Sequence, residues 1–308
     1  MKKFLSLVLA LVMTMSLVTV SAGAKDFTDD SEITYKEAVD VISALGVVDG
    51  YSDGDFRPDD VLTRGAAAKI ICNLILGPTT ASALSAGTAP FKDVPVTNTF
   101  AGYITYCSQQ GIISGYADGT FRPTGTLSGN AFMKMLLGAL GYDSSIEGYT
   151  GANWQVSVIK QASGIGLDDG NDEFVGSQAV TRQEAALYAF NTLKATMVDY
   201  DQKITTNVNG VDVTISQGNA KPVTWTEGIN EDGNIKDDDF VQFAEEFFPK
   251  LVRKDDNDKF MAPANTWVYD KSEIGTYERT DLIVETYTTK VTGKDAYDLL
   301  KSGVIKDN

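Results

Sequence analysis

From residue 35 onward the apolar residues fall at three- and four-residue intervals, in short runs broken by turns rich in Gly, Asp and Pro. Tyr35, Ala38, Val41, Ile42 and Leu45 predict a helix, and Gly46 stands where a left-handed C-terminal cap is wanted. A short apolar pair follows, then an Asp53-Gly54 turn, and Pro58 prevents any earlier helix from running on. Thr63 is a good N-cap for a second helix, whose stripe is Ala67, Ile70, Ile71, Leu74 and Ile75. The same order returns 65 residues later as Gly111, Asp118-Gly119, Pro123, Ser128, and then Phe132, Met135, Leu136, Ala139 and Leu140. Between Gly46–Leu62 and Gly111–Leu127, 9 of 17 positions are identical without a gap.

A third copy lies at an offset of 118, placing Gly164 on Gly46, Phe174 on Phe56, Val180 on Leu62 and Thr181-Arg182 on Thr63-Arg64. Its turn, Asp168 to Glu173, lacks the Gly-Tyr pair, whereas Thr181-Arg182-Gln183-Glu184 reads as a complete capping box. A helix pair of about 50 residues cannot enclose its own apolar faces, so the copies are expected to share one core. The expected fold is mainly α, a pseudo-threefold helical bundle followed by a smaller β-rich α+β region. Boundaries fall at 25–77 for the first repeat, 78–89 for a flexible connection, 90–141 and 142–197 for the other repeats, and 198–308 for the remainder.

In that remainder, residues 203–217 alternate like a strand pair around an Asn209-Gly210 turn, and 223–226 form another short β candidate. A helix is expected through Phe240, Phe243 and Phe247. The segment Gly228 to Asp239, with Gly233 as loop glycine, resembles a calcium loop of the EF-hand or dockerin kind. Its first position is Gly228 where a carboxylate is expected, and an acidic turn capping a helix explains the same letters. Asp255 to Asp258 reads as a solvated loop, and no metal or other cofactor is assigned.

The amino terminus adds a compartment. Met1-Lys2-Lys3, an apolar run from Phe4 to Val20 and an Ala22-Gly23-Ala24 ending make residues 1–24 a secretory signal peptide. The run is also long enough for a retained membrane anchor. Without those residues the net charge moves from −16 to −18, with 24 basic residues against 42 acidic. Such a surface repels nucleic acid and anionic lipid, so no nucleic-acid partner and, after cleavage, no membrane partner is expected. The chain has no histidine, which excludes Ser-His-Asp and Cys-His catalysis and His-based zinc sites. Cys72 and Cys107 both fall in expected helices; they pair or remain buried free thiols.

The residues Gly-Tyr-x-Asp-Gly-x-Phe-Arg-Pro (twice), the openings Phe27-Thr28-Asp29 and Phe91-Lys92-Asp93, and Thr-Arg-x-Glu (once) resemble S-layer homology domains, three in tandem. The resemblance implies a secreted protein of a Gram-positive-type cell wall or S-layer. Its partner would be a secondary cell-wall polysaccharide, often carrying a pyruvate-modified sugar, and other S-layer copies are possible neighbours. Residues 260–277 resemble a segment that follows such repeats in surface proteins of gut clostridia.

Arg64 and Arg182, each one position after an N-cap, gain nothing from the helix macrodipole there. They are candidates to grip a carboxylate, assisted by backbone N–H groups of the helix start; the resemblance makes them the pyruvate contacts. Tyr51, Tyr116 and Trp154 are candidates to lie against sugar rings or to pack on their own helices. Asp29, Asp93, Gly50 and Gly115 complete the candidate set through the family signature, with a backbone-shaping role as the other reading of the glycines. Arg57 and Arg122 can pair with aspartates such as Asp59. The second copy has Gly129 where the arginine belongs, so one or two working grooves are expected. No catalytic motif is present, and the chain is read as non-enzymatic. The alternatives are an anchored carboxylate-based glycan hydrolase, with acids about 5 to 10 Å apart, or a calcium-dependent assembly module.

Overall fold

The computed structural model describes residues 23–200, 204–208, 211–215, 218–225, 234–236, 238–282, 292 and 294. Nearly all of the expected signal peptide, the Asn209-Gly210 turn, and Gly228 to Gly233 with Asp237 of the acidic loop lie outside the described residues. The described chain is mainly helical up to residue 197, with strands beyond. Its helices are α1 (Lys36–Ala44), α2 (Arg64–Leu76), α3 (Pro78–Ser82), α4 (Ala101–Gln109), α5 (Gly129–Ala139), α6 (Trp154–Gly164), α7 (Arg182–Lys194) and α8 (Phe243–Phe247). The chain divides into two compact units, residues 1–254 with 266–275, and residues 255–265 with 276–308.

Local chemistry sets the helix ends. The hydroxyls of Thr63, Ser128 and Thr181 accept the N–H groups of Ala66, Ala131 and Glu184 at 3.3, 3.4 and 3.3 Å. Only at Thr181 does a glutamate close the box, Glu184 accepting the Thr181 N–H at 2.7 Å. Gly46 and Gly111 turn left-handed after α1 and α4, at φ 70 and 74. In the third copy that turn falls on Gly166, φ 75, because α6 runs on through Gly164, so the expected cap is displaced by two residues. The stretch 78–89 is not all connection: Pro78, at the first helical position, starts the one-turn α3.

A ring of backbone hydrogen bonds ties the three hairpins. Leu62 N–H donates to Val180 O at 2.8 Å, Val180 N–H to Leu127 O at 3.0 Å, and Leu127 N–H to Leu62 O at 3.1 Å. These are the equivalent positions of the three copies, and the cycle closes on itself. Around it α5 packs on both α2 and α7, while α4 packs on α2, α6 on α5 and α1 on α7. Each first helix thus covers the second helix of a different copy. The core so formed buries Phe56, Phe121, Phe132, Tyr149, Tyr188, Ile71, Leu74 and Ile104 at under 2 % exposure.

The Phe-x-Asp openings fasten the turns. Phe27 lies 5.2 Å from Phe56, and Phe91 lies 5.3 Å from Phe121. The Asp29 carboxylate accepts the N–H groups of Phe56 and Arg57 at 2.8 and 2.6 Å, and Asp93 those of Phe121 and Arg122, both at 2.7 Å. That grip holds Arg57 and Arg122 at φ 55 and 59, a conformation that side chains rarely adopt.

Beyond α7, β1 (Val198–Asp199) pairs antiparallel with β4 (Lys221–Pro222), and β2 (Ile204–Val208) with β3 (Val211–Ile215) in the register Val208↔Val211. Strands β5 (Leu251–Asn257), β6 (Pro263–Tyr269) and β7 (Ser272–Glu278) form a sheet in that order. Asp255 to Asn257 therefore end a strand, while Asp258 accepts the N–H groups of Phe260 and Ala262. Helix α8 is shorter than the aromatic spacing predicts: Gln242 caps it, Pro249 follows, and Phe240 is held in a bridge to Thr224. Within the first unit, Trp267 is fully buried, edge-on to Phe190 at 5.2 Å, and donates to Glu37 at 2.6 Å.

Candidate functional site

Two grooves open where one hairpin's second helix begins against the next hairpin's turn. The first has a volume of about 370 Å³ and includes Arg64, Ser114, Tyr116, Lys134, Tyr149 and Trp154. The second, about 330 Å³, includes Asp49, Tyr51, Lys69, Phe100 and Arg182. The expected residues Arg64, Tyr116, Gly115 and Trp154 meet in the first groove, and Arg182, Tyr51 and Gly50 in the second. Asp29 and Asp93 line neither, their carboxylates being engaged by the turn.

The two arginines are built in the same way. Arg64 donates through Nε to Phe121 O at 2.8 Å and through Nη2 to Ser114 O at 3.2 Å. Its guanidinium lies 4.4 Å from the Phe121 ring and 4.9 Å from that of Tyr116. Arg182 donates to Phe56 O and Asp49 O, both at 2.8 Å, and lies 4.8 Å from both Phe56 and Tyr51. Tyr51 and Tyr116 each carry a second guanidinium, Arg57 at 4.1 Å and Arg122 at 4.2 Å. They are pillars between arginines rather than open platforms. Arg57 and Arg122 pair with Asp53 and Asp118, four residues back, and not with Asp59.

Backbone donors at the helix starts are not available. Arg64 and Gly65 N–H donate to Gly125 O and Pro123 O at 2.9 and 2.8 Å, and Arg182 and Gln183 N–H to Asp60 O and Pro58 O at 2.9 and 3.0 Å. The neighbouring turn's carbonyls consume the groups that a helix terminus otherwise offers an anion. The cationic character rests on side chains alone. Burial lowers the pKa of both Arg64 and Arg182, a tyrosine in each groove opposing the shift.

A lysine completes each groove, and the sequence reading missed it. Lys69 and Lys134 are separated by the same 65 residues as the repeats, which is the signal that finds them. Lys134 donates to Tyr149 O at 2.7 Å, lies 5.5 Å from the Trp154 ring, and has its pKa lowered by burial. It has no acidic partner among the described residues, and the position matching Asp49 is Ser114. Lys69 instead has Asp49 at 4.0 Å, and that aspartate also holds Lys25 at 2.8 Å. Among the described residues, the two cations of the first groove, Arg64 and Lys134, form no salt bridge. The Tyr149 hydroxyl beside it is buried and has no protein partner among the described residues.

Gly50 and Gly115 shape the backbone. A Cβ on Gly50 would stand 2.6 Å from the Phe27 ring, and one on Gly115 2.4 Å from the Phe91 ring. At the third seam, Gly129 replaces the arginine and Leu187 the lysine, and a Cβ on Gly129 would already lie 2.8 Å from the Phe174 ring. Glu184 and Asn171 occupy that seam, Asn171 donating to Tyr188 Oη at 2.7 Å. Burial and the negative charges of Glu184, Glu173 and Asp172 raise the pKa of Tyr35 there.

The family model of the S-layer homology domain matches residues 26–68 and 90–129. The chain carries S-layer homology domains. It is 29% identical over 172 residues to a surface layer protein of Brevibacillus choshinensis, covering 55% of this chain and 15% of that one. Over 171 residues it is 26% identical to the middle cell wall protein of Brevibacillus brevis, 54% of this chain and 16% of the relative. A cellulosome-anchoring protein of Acetivibrio thermocellus is 32% identical over 111 residues, 36% of this chain and 25% of the relative. The alignment with each of these relatives thus spans a quarter of its length or less. The homology repeats are similar to parts of surface proteins of Gram-positive bacteria. No helix among the described residues is long and apolar enough to cross a membrane.

Proposed function

We propose that this is an exported surface protein held non-covalently on a Gram-positive-type cell wall by three S-layer homology repeats in a pseudo-threefold bundle. The ligand is an acidic, pyruvylated secondary cell-wall polysaccharide, taken in the Arg64–Lys134 and Arg182–Lys69 grooves. The observation that carries this reading is the first groove. Two desolvated cations with no salt bridge, an indole and a phenol with no hydrogen-bond partner among the described residues converge there on a space of sugar size. A carboxylate supplies the missing charge, and the sugar ring lies against Trp154. Surface and wall proteins among the relatives support the anchoring role, and copies on one wall are neighbours for an S-layer.

The reading is tested by co-sedimenting the chain with purified wall sacculi before and after chemical removal of the secondary polymer. Retention is expected only on the intact wall. Lys134→Gln combined with Lys69→Gln should weaken it more than tenfold at low salt, since a hydrogen bond to a charged group contributes about 1.5 kcal/mol or more. Unchanged retention on stripped sacculi would remove the polysaccharide from consideration.

A further inference from the structure

The two cysteines of this chain lie on facing helices. Cys72 is on α2 and Cys107 on α4; both are fully buried, and their sulfurs are 3.5 Å apart. The contact is reciprocal: Cys72 Sγ lies 3.6 Å from Tyr103 O and Cys107 Sγ 3.6 Å from Ala68 O, each carbonyl one helical turn before the opposite cysteine. Placed by the left-handed glycines that end the first helices, the matching pairs are Leu137 with Ala162 at the α5–α6 seam and Phe190 with Ile42 at the α7–α1 seam. Cysteine stands at both facing positions in one seam of three and nowhere else in 308 residues. That seam is also a groove wall, because α2 carries Lys69 and Ile70 and Phe100 caps α4.

We infer that Cys72 and Cys107 close to a disulfide during folding, stapling α2 to α4 behind the second groove. At 3.5 Å the sulfurs are in direct contact, with no atom to displace between them before a bond of about 2.05 Å forms. The co-reactant is a small-molecule disulfide. One thiolate attacks it, forming a mixed disulfide and releasing one small thiolate; the second cysteine thiolate then attacks that sulfur and releases the other. Two protein thiols lose two protons and two electrons, and the oxidant leaves as two thiols. The contact with Cys107 and burial raise the pKa of Cys72, and both thiols are closed off from solvent, so the folded dithiol reacts slowly. Closure belongs to the stage before α2 and α4 pack, and the finished bond is shielded from reductant.

The test refolds the full chain from denaturant in a buffer of reduced and oxidised glutathione. The product is quenched in acid, alkylated under denaturing conditions without reductant, and weighed by mass spectrometry. No alkylated cysteine is expected, and two after reduction. A bond closing a loop of some 35 residues should also make Tm on the order of 10 °C higher in the oxidised chain than in the reduced one. Cys72→Ala should show no such dependence on reductant. Two alkylated thiols or two glutathione adducts in the refolded wild-type chain overturn the proposal, whatever the fate of the variant. So does an equal fall in Tm on reduction in the wild type and in Cys72→Ala.

Discussion

Arg182→Ala separates the structural role of the groove arginine from its role toward a ligand. The side chain donates to Phe56 O and Asp49 O at 2.8 Å and lies against two rings at 4.8 Å. Phe56 is fully buried, and a buried acceptor left unpaired costs about 1 to 3 kcal/mol. Asp49 is exposed, so its carbonyl rehydrates and adds little. The two ring contacts add about 0.5 to 1 kcal/mol each. Removing a cation from the first turn of α7 returns roughly 0.5 kcal/mol. The net loss is about 3 kcal/mol, or a Tm lower by roughly 6 to 12 °C for a domain of this size. The assay is thermal and urea unfolding without ligand, with Arg57→Ala as reference; losing its exposed pair with Asp53 and its contact with the Tyr51 ring should lower Tm by less than Arg182→Ala does. Arg182→Lys should lose most of the same stability, because an ammonium cannot reproduce the fork. If Arg182→Ala unfolds within 1 kcal/mol of the parent, the guanidinium is not part of the frame and this reasoning fails.

Two further predictions rest on the turns. Gly115→Ala drives a methyl to 2.4 Å from the Phe91 ring and should destabilise by about 2 to 3 kcal/mol in urea titrations, whatever its effect on binding. Acid should loosen the bundle. Hydrogen bonds from Thr120 and Arg122 hold Asp118 down at about 2, from an ordinary 3.8. Burial pushes Asp29 and Asp93 up, but the N–H groups they accept bring them below that ordinary value. With folded values below unfolded ones, the unfolded chain binds protons first, so this stability is present above about pH 4 and lost as pH falls toward 2. Tm against pH should be flat from 7 to 5 and fall below 4, less steeply in Asp29→Asn.

Local rules made much of this fold legible. The helix stripes, the N-caps at Thr63, Ser128 and Thr181 and the capping box at Glu184 follow from residues a few positions apart. What escaped depends on partners from another copy. The helix starts read as free donors until Gly125, Pro123, Asp60 and Pro58 are seen to accept from them. Gly50 and Gly115 read either as ligand positions or as shapers of the backbone, and the rings that require a glycine there, Phe27 and Phe91, are 23 and 24 residues away. Lys69 and Lys134 were legible in principle, since their spacing equals the repeat, but each occupies an ordinary solvated helix position when read alone. The length of α8 was not legible, because Phe240 is drawn away by Thr224.

The lost capping glutamate has a reason in the grooves. Position N3 of the second helix is Ala66, Ala131 and Glu184 in the three copies; the alanines line the two cationic grooves, while Glu184 occupies the seam without a cation. A glutamate would recover a reciprocal cap, about 0.5 to 1 kcal/mol. It would also place a carboxylate beside Lys134 or Lys69 and fill the space an acidic sugar takes. Ala131→Glu should therefore raise Tm by about 1 to 4 °C and lower wall retention several-fold, whereas the reverse change at the third seam, Glu184→Ala, should lower Tm and leave retention as it was. Opposite signs in the two assays are the discriminating result. A stabilised Ala131→Glu chain that still binds the wall fully would mean that the first groove is not where the polymer sits.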